Sequence, residues 1–185
     1  MRAAIVLAAG ASRRFGRSDK LRARLGGVPL LDHAIRHALA SGAKRVIVVT
    51  SHGGAGRGMG RTIHRVRAAR HREGLSASLA AGLAALRPIE REVLIFLGDM
   101  PFAAMPRGMR LRPGFDAVRP VVVGKPGHPM LVRVSAARAA AGGGDSGLAG
   151  RLGQIGRVRG TVGNGFDIDT PGALSRARRV LRRLF

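Results

Sequence analysis

An open, mostly parallel α/β sheet with helices on both faces is the fold that this sequence predicts, and three observations predict it. Short, continuously apolar runs recur along the chain, as in strands buried on both faces. These runs alternate with segments whose apolar residues fall at helical spacing. The runs also end in glycine turns or Gly-Asp, the sites where open α/β sheets place ligands beyond the carboxyl ends of their strands.

The elements follow in order. "AAIVLAAG" (3–10) reads as the first buried strand. "PLLDHAIRHALASGA" (29–43) is an amphipathic helix, with Pro29 in its first turn and Gly42 as its stop. "KRVIVVT" (44–50) is the second buried strand, and "SHGGAGRGMGR" (51–61) a loop at the same rim. "LSASLAAGLAAL" (75–86) is a helix of small residues, and "EVLIFLGDMP" (92–101) a third buried strand ending at Gly98-Asp99. "AVRPVVVG" (117–124) and "HPMLVRV" (128–134) are later strands, the first expected to be interrupted at Pro120. "AGGGDSG" (141–147) is a second glycine-rich loop, and "TPGALSRARRVLRRL" (170–184) a closing helix with basic residues at its C-terminal end. With neither an internal repeat nor a linker, residues 1–185 are expected to form one domain.

Composition narrows the function classes. With 45% hydrophobic and 23% charged residues the chain is expected to be globular rather than disordered. No apolar run approaches the length of a membrane span, and no secretory leader pattern opens the chain, so a cytoplasmic protein is expected. The absence of cysteine removes disulfides, thiolate metal sites and cysteine nucleophiles. The 33 basic against 10 acidic residues keep nucleic acid open as a partner. Against that partner, the arginines are dispersed, and there is no Trp or Tyr to build a stacking platform.

The stretch "LAAGASRRFGRSDKL" (7–21) sets a glycine turn and several cations directly after the first strand, an arrangement suited to a polyphosphate. Its spacing excludes the P-loop: Gly10 to Gly16 is one residue too long, and Arg17-Ser18 replaces Lys-Ser/Thr. The dinucleotide fingerprint G-x-G-x-x-G is missing as well. Asp99 in "FLGDMPF" (96–102) follows a buried strand, where a carboxylate can hold Mg²⁺, although Gly-Asp-x-Pro taken alone is also a common turn. In "NGFDIDTPGAL" (164–174), Asp167 and Asp169 would share a face of an extended segment, and either could complete a metal site. Asp167 is favoured, because Asp169 is equally well placed to cap the following helix.

Together these motifs resemble the MobA-like NTP transferase family of sugar-nucleotide and molybdenum-cofactor nucleotidyltransferases. The first stretch matches the family pattern L-A-[AG]-G-x-S-x-R-[FM]-G…K at Leu7, Ala8, Gly10, Ser12, Arg14, Phe15, Gly16 and Lys20. The resemblance implies a three-layer α/β/α, Rossmann-like, mostly parallel sheet of the nucleotide-diphospho-sugar transferase type. It implies further that Arg14 and Lys20 hold triphosphate oxygens while the Ala8-Ala9-Gly10 backbone lies near the base. Asp99 looks like the family's metal ligand, with Asp167 as its companion. Gly172-Ala173 depart from the acidic pair usual in the family.

Within the family, "LAAG", "GDMP", "GHPMLV" (127–132), "EGLSASLAAGL" (73–83) and "GDSG" (144–147) are similar to the molybdenum cofactor cytidylyltransferase branch. That likeness makes Gly74, Ser76 and Ser78 candidates for contact with base and ribose. His128 and Asp145 fall on the acceptor side, although Ala149 stands where the branch usually carries arginine. The implied reaction is Mg²⁺-dependent transfer of CMP from CTP to the phosphate of a molybdopterin-type acceptor, with a molybdoenzyme or chaperone as a possible downstream partner. The alternatives are a guanylyltransferase or another NTP transferase with a different acceptor. A protein that only binds cofactor or nucleic acid on the same scaffold also remains open.

Overall fold

The computed structural model describes residues 1–10, 15, 19–51, 63–69, 74–141 and 148–182. Its centre is an eight-stranded sheet. The strands are β1 (Arg2–Ala8), β4 (Val46–Thr50), β5 (Ile63–Arg67), β6 (Glu92–Leu97), β7 (Ala117–Val122), β8 (Lys125–Pro126), β9 (Met130–Arg133) and β10 (Ile155–Arg159). Their order is β10-β7-β9-β6-β1-β4-β5, with β8 paired to β7. A separate two-stranded hairpin joins β2 (Arg24–Leu25) to β3 (Val28–Pro29).

β1 pairs in parallel with β4 and β6, β4 with β5, and β7 with β10. Only β9 runs the other way in the main path, antiparallel to β6 and β7. The carboxyl ends of β1, β6, β7 and β10 therefore open on one rim, where β9 begins. The strands expected from continuous apolar runs are the buried ones: all five residues of β4 are buried, as are six of the seven in β1.

Period-two alternation sends successive side chains to opposite faces. Ile5 and Leu7 pack with Ile47, Val49 and helix α2 (Leu75–Ala84) on one face, where helix α3 (Val134–Ala140) also docks. Val6, Val48 and Phe96 pack against helix α1 (Leu30–Ala40) on the other. α2 lies close to the sheet because Gly82 carries no side chain; a Cβ there would meet Ile5 Cγ2 at 3.0 Å. Helix α4 (Pro171–Arg182) closes a third cluster on the hairpin through Leu25, Leu30, Ile168, Leu174 and Ala177.

Several elements differ from the sequence reading. Pro120 does not interrupt β7; it stays in the ladder opposite Val158 of β10. Pro29 precedes α1 rather than entering its first turn. Val134 opens α3 instead of ending β9. β5, β8, β10, the hairpin and α3 were not anticipated. Most of both glycine-rich loops, at 52–61 and 142–147, lies outside the described residues.

Candidate functional site

Two local features bring the chemistry-bearing side chains to the rim. β6 ends in the Gly98-Asp99 turn, tied to β1 by the Gly98 amide donating to the Leu7 carbonyl at 2.9 Å. Further along the chain, the Ile168 amide donates to the Asp99 carbonyl at 3.0 Å. That one backbone bond carries the 167–169 segment to the end of β6. Ile168 is fully buried in the cluster beneath α4, so Asp167 and Asp169 project on the opposite side.

Lys20 completes the group. It opens a short 3₁₀ turn capped by the Asp19 side chain, which accepts from the Leu21 amide at 3.0 Å. Its ammonium donates to Asp99 Oδ2 at 2.8 Å and to Asp169 Oδ1 at 2.6 Å. The lysine side chain is only 10% exposed, against 25% for Asp99 and 43% for Asp169. Burial by itself would lower the Lys20 pKa, but the hydrogen bonds to Asp169 and Asp99 outweigh it and hold the group above its ordinary value. Desolvation raises the Asp167 pKa, and the neighbouring Asp169 and Asp99 carboxylates push it further up. Two carboxylates thus share one buried ammonium, with a third, Asp167, beside them.

The second carboxylate beside Lys20 is Asp169, where the sequence reading favoured Asp167. The capping role that competed for Asp169 belongs to Thr170, whose hydroxyl oxygen accepts from the Ala173 amide at 3.2 Å. Asp99 Oδ1 is buried and has no hydrogen-bond partner. An orphaned carboxylate oxygen facing two further aspartates suits a hard divalent cation. Among the described residues no three His, Asp or Glu side chains form a ready-made metal cage. The residues fit a cation held by one or two carboxylates together with substrate phosphates, the usual arrangement for Mg²⁺. Asp99 and Asp169 would be its ligands, with Asp167 adjacent.

The remaining candidates fall into two groups. Ala8 and Ala9 are buried at the end of β1 and Gly10 is exposed beside them, with open space where its Cβ would stand. Gly74 precedes α2 at φ 102°, a backbone conformation open mainly to glycine. Ser76 and Leu7 line a pocket of about 160 Å³ with Leu97, His128, Met130 and Leu148. Ser78 is 3% exposed and its hydroxyl points back at the Gly74 carbonyl, 3.5 Å away. It therefore supports the start of α2 from within. Ser12, Arg14, Gly16 and Asp145 lie outside the described residues.

His128 sits at the entry to β9, joined to Pro129 by a cis peptide bond. Its Nδ1 lies 3.2 Å from the Ile95 carbonyl, which can only accept, so Nδ1 carries the proton and Nε2 is left as an acceptor. Burial pushes the imidazole below its ordinary pKa, with nearby Arg119 adding to the shift against the Ile95 bond and Asp99. Asn164, absent from the expected site, holds this turn in place. Its side-chain amide donates at 2.7 Å to the carbonyls of both Ala104 and His128, and its own carbonyl accepts from the His128 amide at 2.9 Å. Only its place in "NGFDIDTP" could have drawn attention to it.

Burial likewise lowers the pKa of His37, whose ring meets the Pro101 carbonyl at 3.0 Å. Both histidines are then neutral in the folded chain at a pH where they would be protonated in the unfolded one. Their contribution to stability is fully present above the unfolded value of about 6.5 and is lost as pH falls from there toward the folded values. Asp167, with its raised pKa, acts in the opposite sense nearer the carboxylate range. Melting temperatures should fall between pH 7.5 and 5.5, and His37→Gln with His128→Gln should flatten that profile. An equally steep profile in the double variant would refute the assignment.

Comparison with known proteins bears on the family and the fold. Residues 4–157 match the MobA-like NTP transferase domain. Among solved structures, a nucleotidyl transferase from Methanothermobacter thermautotroptrophicus superposes with a TM-score of 0.78 at 21% identity, covering 100% of this chain and 99% of the other. Rv0371c from Mycobacterium tuberculosis, solved in complex with manganese, gives 0.70 at 22% identity, covering 96% and 98%. Molybdopterin-guanine dinucleotide biosynthesis protein A from Archaeoglobus fulgidus gives 0.63 at 20% identity, covering 99% and 100%. None of the curated proteins matches this sequence. With the matched domain spanning most of its length and the acidic rim built on its sheet, this chain belongs to the MobA-like NTP transferase family.

Proposed function

We propose that this chain transfers CMP from CTP to the terminal phosphate of a molybdopterin-type acceptor, with Mg²⁺ as its cofactor. The observation that carries the reading is the Lys20 ammonium held between Asp99 and Asp169 on the rim beyond the glycine turn. An acceptor phosphate oxygen bonds to the α-phosphorus of the triphosphate, the bond from that phosphorus to the bridging oxygen breaks, and pyrophosphate leaves with the electron pair. Such a displacement needs positioning and charge neutralisation more than covalent help. When bound, Mg²⁺ would neutralise phosphate charge and polarise the α-phosphate.

The protein's own residues divide the remaining work. Asp99 and Asp169 would hold the cation. Lys20, released from them, neutralises charge gathering on the departing pyrophosphate, together with Arg14. The Ala8–Gly10 backbone and the Gly74-Leu75-Ser76 turn flank the nucleoside. His128, neutral and fixed by Ile95 and Asn164, offers Nε2 as an acceptor toward the second substrate. A cytoplasmic location and delivery of product to a molybdoenzyme or its chaperone belong to the same reading. Among the described residues no helix is long and apolar enough to cross a membrane.

The molybdopterin-guanine name of the Archaeoglobus neighbour supports a second reading, transfer of GMP instead. Thermal shifts with each of the four NTPs and Mg²⁺ separate the two. A triphosphate at 100-fold its Kd adds about 2.7 kcal/mol to native stability, roughly 5–10 °C for a chain of this size. CTP should raise the melting temperature selectively; selectivity for GTP would establish the second reading. No shift with any triphosphate, alongside tight and salt-sensitive polynucleotide binding, would overturn both.

A further inference from the structure

The pocket beside His128 does not end at β9. Antiparallel pairing sets Ala117 of β7 opposite Val132 and Val118 opposite Leu131, so the next step in register puts Arg119 beside Met130 of the pocket wall. On the far side, β10 pairs in parallel with β7, with Ile155 opposite Ala117 and Arg157 opposite Arg119. Ile155 and Ala117 both pack on the α2–α3 face, so two residues later Arg157 and Arg119 lie side by side on that same face. Arg159 follows one alternation further toward the rim.

Arg119 is not held as a structural arginine would be. Its Nε is buried without a partner, and its Nη2 makes a long hydrogen bond, 3.5 Å to the Gly127 carbonyl. The ion pairs Arg2–Glu92, Lys20–Asp99, Lys20–Asp169 and Arg45–Glu90 leave Arg119, Arg157 and Arg159 unengaged. A half-buried guanidinium with a free donor, next to a second exposed one and at the end of an apolar pocket, is built to receive an anion.

We infer that the acceptor carries two anionic ends, with the reacting phosphate at the Asp99 rim and a second anionic group bound by Arg119 and Arg157 at the β7–β10 edge. Its flat or apolar body spans the pocket floored by Met130 and flanked by His128. This rests on the nucleotidyl-transfer reading for the identity of the first end, and on the arginine pair alone for the second. β6 and β7 stand two strand spacings apart, roughly 10 Å, which sets the separation of the two anions.

The test uses a rigid pair of that reach, 4′-carboxybiphenyl-4-yl phosphate and its carboxamide analogue, titrated calorimetrically into the full chain with Mg²⁺. A charge-assisted guanidinium pair should favour the carboxylate about tenfold or more. Arg119→Gln and Arg157→Gln should each erode that preference, while Arg119→Lys should keep part of it. Arg157 is exposed, so its variant remains informative even if Arg119→Gln fails to fold. Equal affinities for the two esters in the wild-type chain, or a preference unchanged in Arg157→Gln and Arg119→Lys alike, would overturn the inference. CTP binding is measured on the same samples. Its absence with the charge preference intact removes the transfer reading and leaves the anion site standing.

Discussion

Asp99→Ala is expected to lower CTP-dependent pyrophosphate release by roughly 10²–10³-fold or more, the usual cost of deleting one preorganised electrostatic contributor. The fold should survive. The bond that docks the 167–169 segment uses the Asp99 carbonyl, which the substitution leaves in place, and Lys20 keeps Asp169 as a partner. The removed carboxylate is already missing one hydrogen bond, at Oδ1. Its loss should therefore cost about 1 kcal/mol, or roughly 2–4 °C in melting temperature. Steady-state pyrophosphate release and a thermal melt on the same sample decide the matter. Turnover near the wild-type level would remove Asp99 from the chemistry, and a collapsed melt would make it a structural residue.

Lys20→Met should change stability and metal response as well as turnover. The ammonium offsets the repulsion between the Asp99 and Asp169 carboxylates that it bridges. Removing the partner of a fully buried ion pair costs about 3–5 kcal/mol. Asp169 keeps 43% of its side chain in water, so about 1–3 kcal/mol is expected here. Mg²⁺ or Mn²⁺ should restore much of that loss, because the cation no longer competes with the lysine for the same oxygens. The melting-temperature gain from millimolar metal should be larger in Lys20→Met than in the wild-type chain. Equal gains would mean that the cation does not bind where Lys20 now sits. Turnover should remain low even with metal present, since the lysine is also assigned to the leaving pyrophosphate.

Much of this architecture is legible in the amino-acid sequence. β1, β4 and β6 are buried on both faces and read as unbroken apolar runs, and the turns that follow them carry Gly10 and Asp99. The edge strands were not legible. "IHRVR" and "IGRVR" pair on one side only and carry exposed arginines, so their pattern resembles that of a loop in a chain rich in arginine. α3 escaped notice because it begins directly at the end of β9, with no turn residue between them.

At the site, alternation put Asp167 and Asp169 on one face but could not choose between them. That Asp169 is the one bonded to Lys20, and that Thr170 takes the cap, are tertiary facts. Arg119 carried no signal at all. One arginine among 33 basic residues acquires meaning only when the register sets it beside Met130.

The span of the Lys20 contacts has a consequence for how the chain acquires activity. The lysine reaches across 79 residues to Asp99 and across 149 to Asp169. Loop closure costs more entropy the longer the loop, and the contact to Asp169 closes a longer one than the β1–β4 and β1–β6 pairings do. During synthesis, the ammonium and the first carboxylate emerge long before the second. A nascent chain halted after β9 would possess most of its sheet yet have no means of closing the acidic rim. The competent site is thus a record that the polypeptide has been read through to α4, and catalytic power should appear as the final event of maturation.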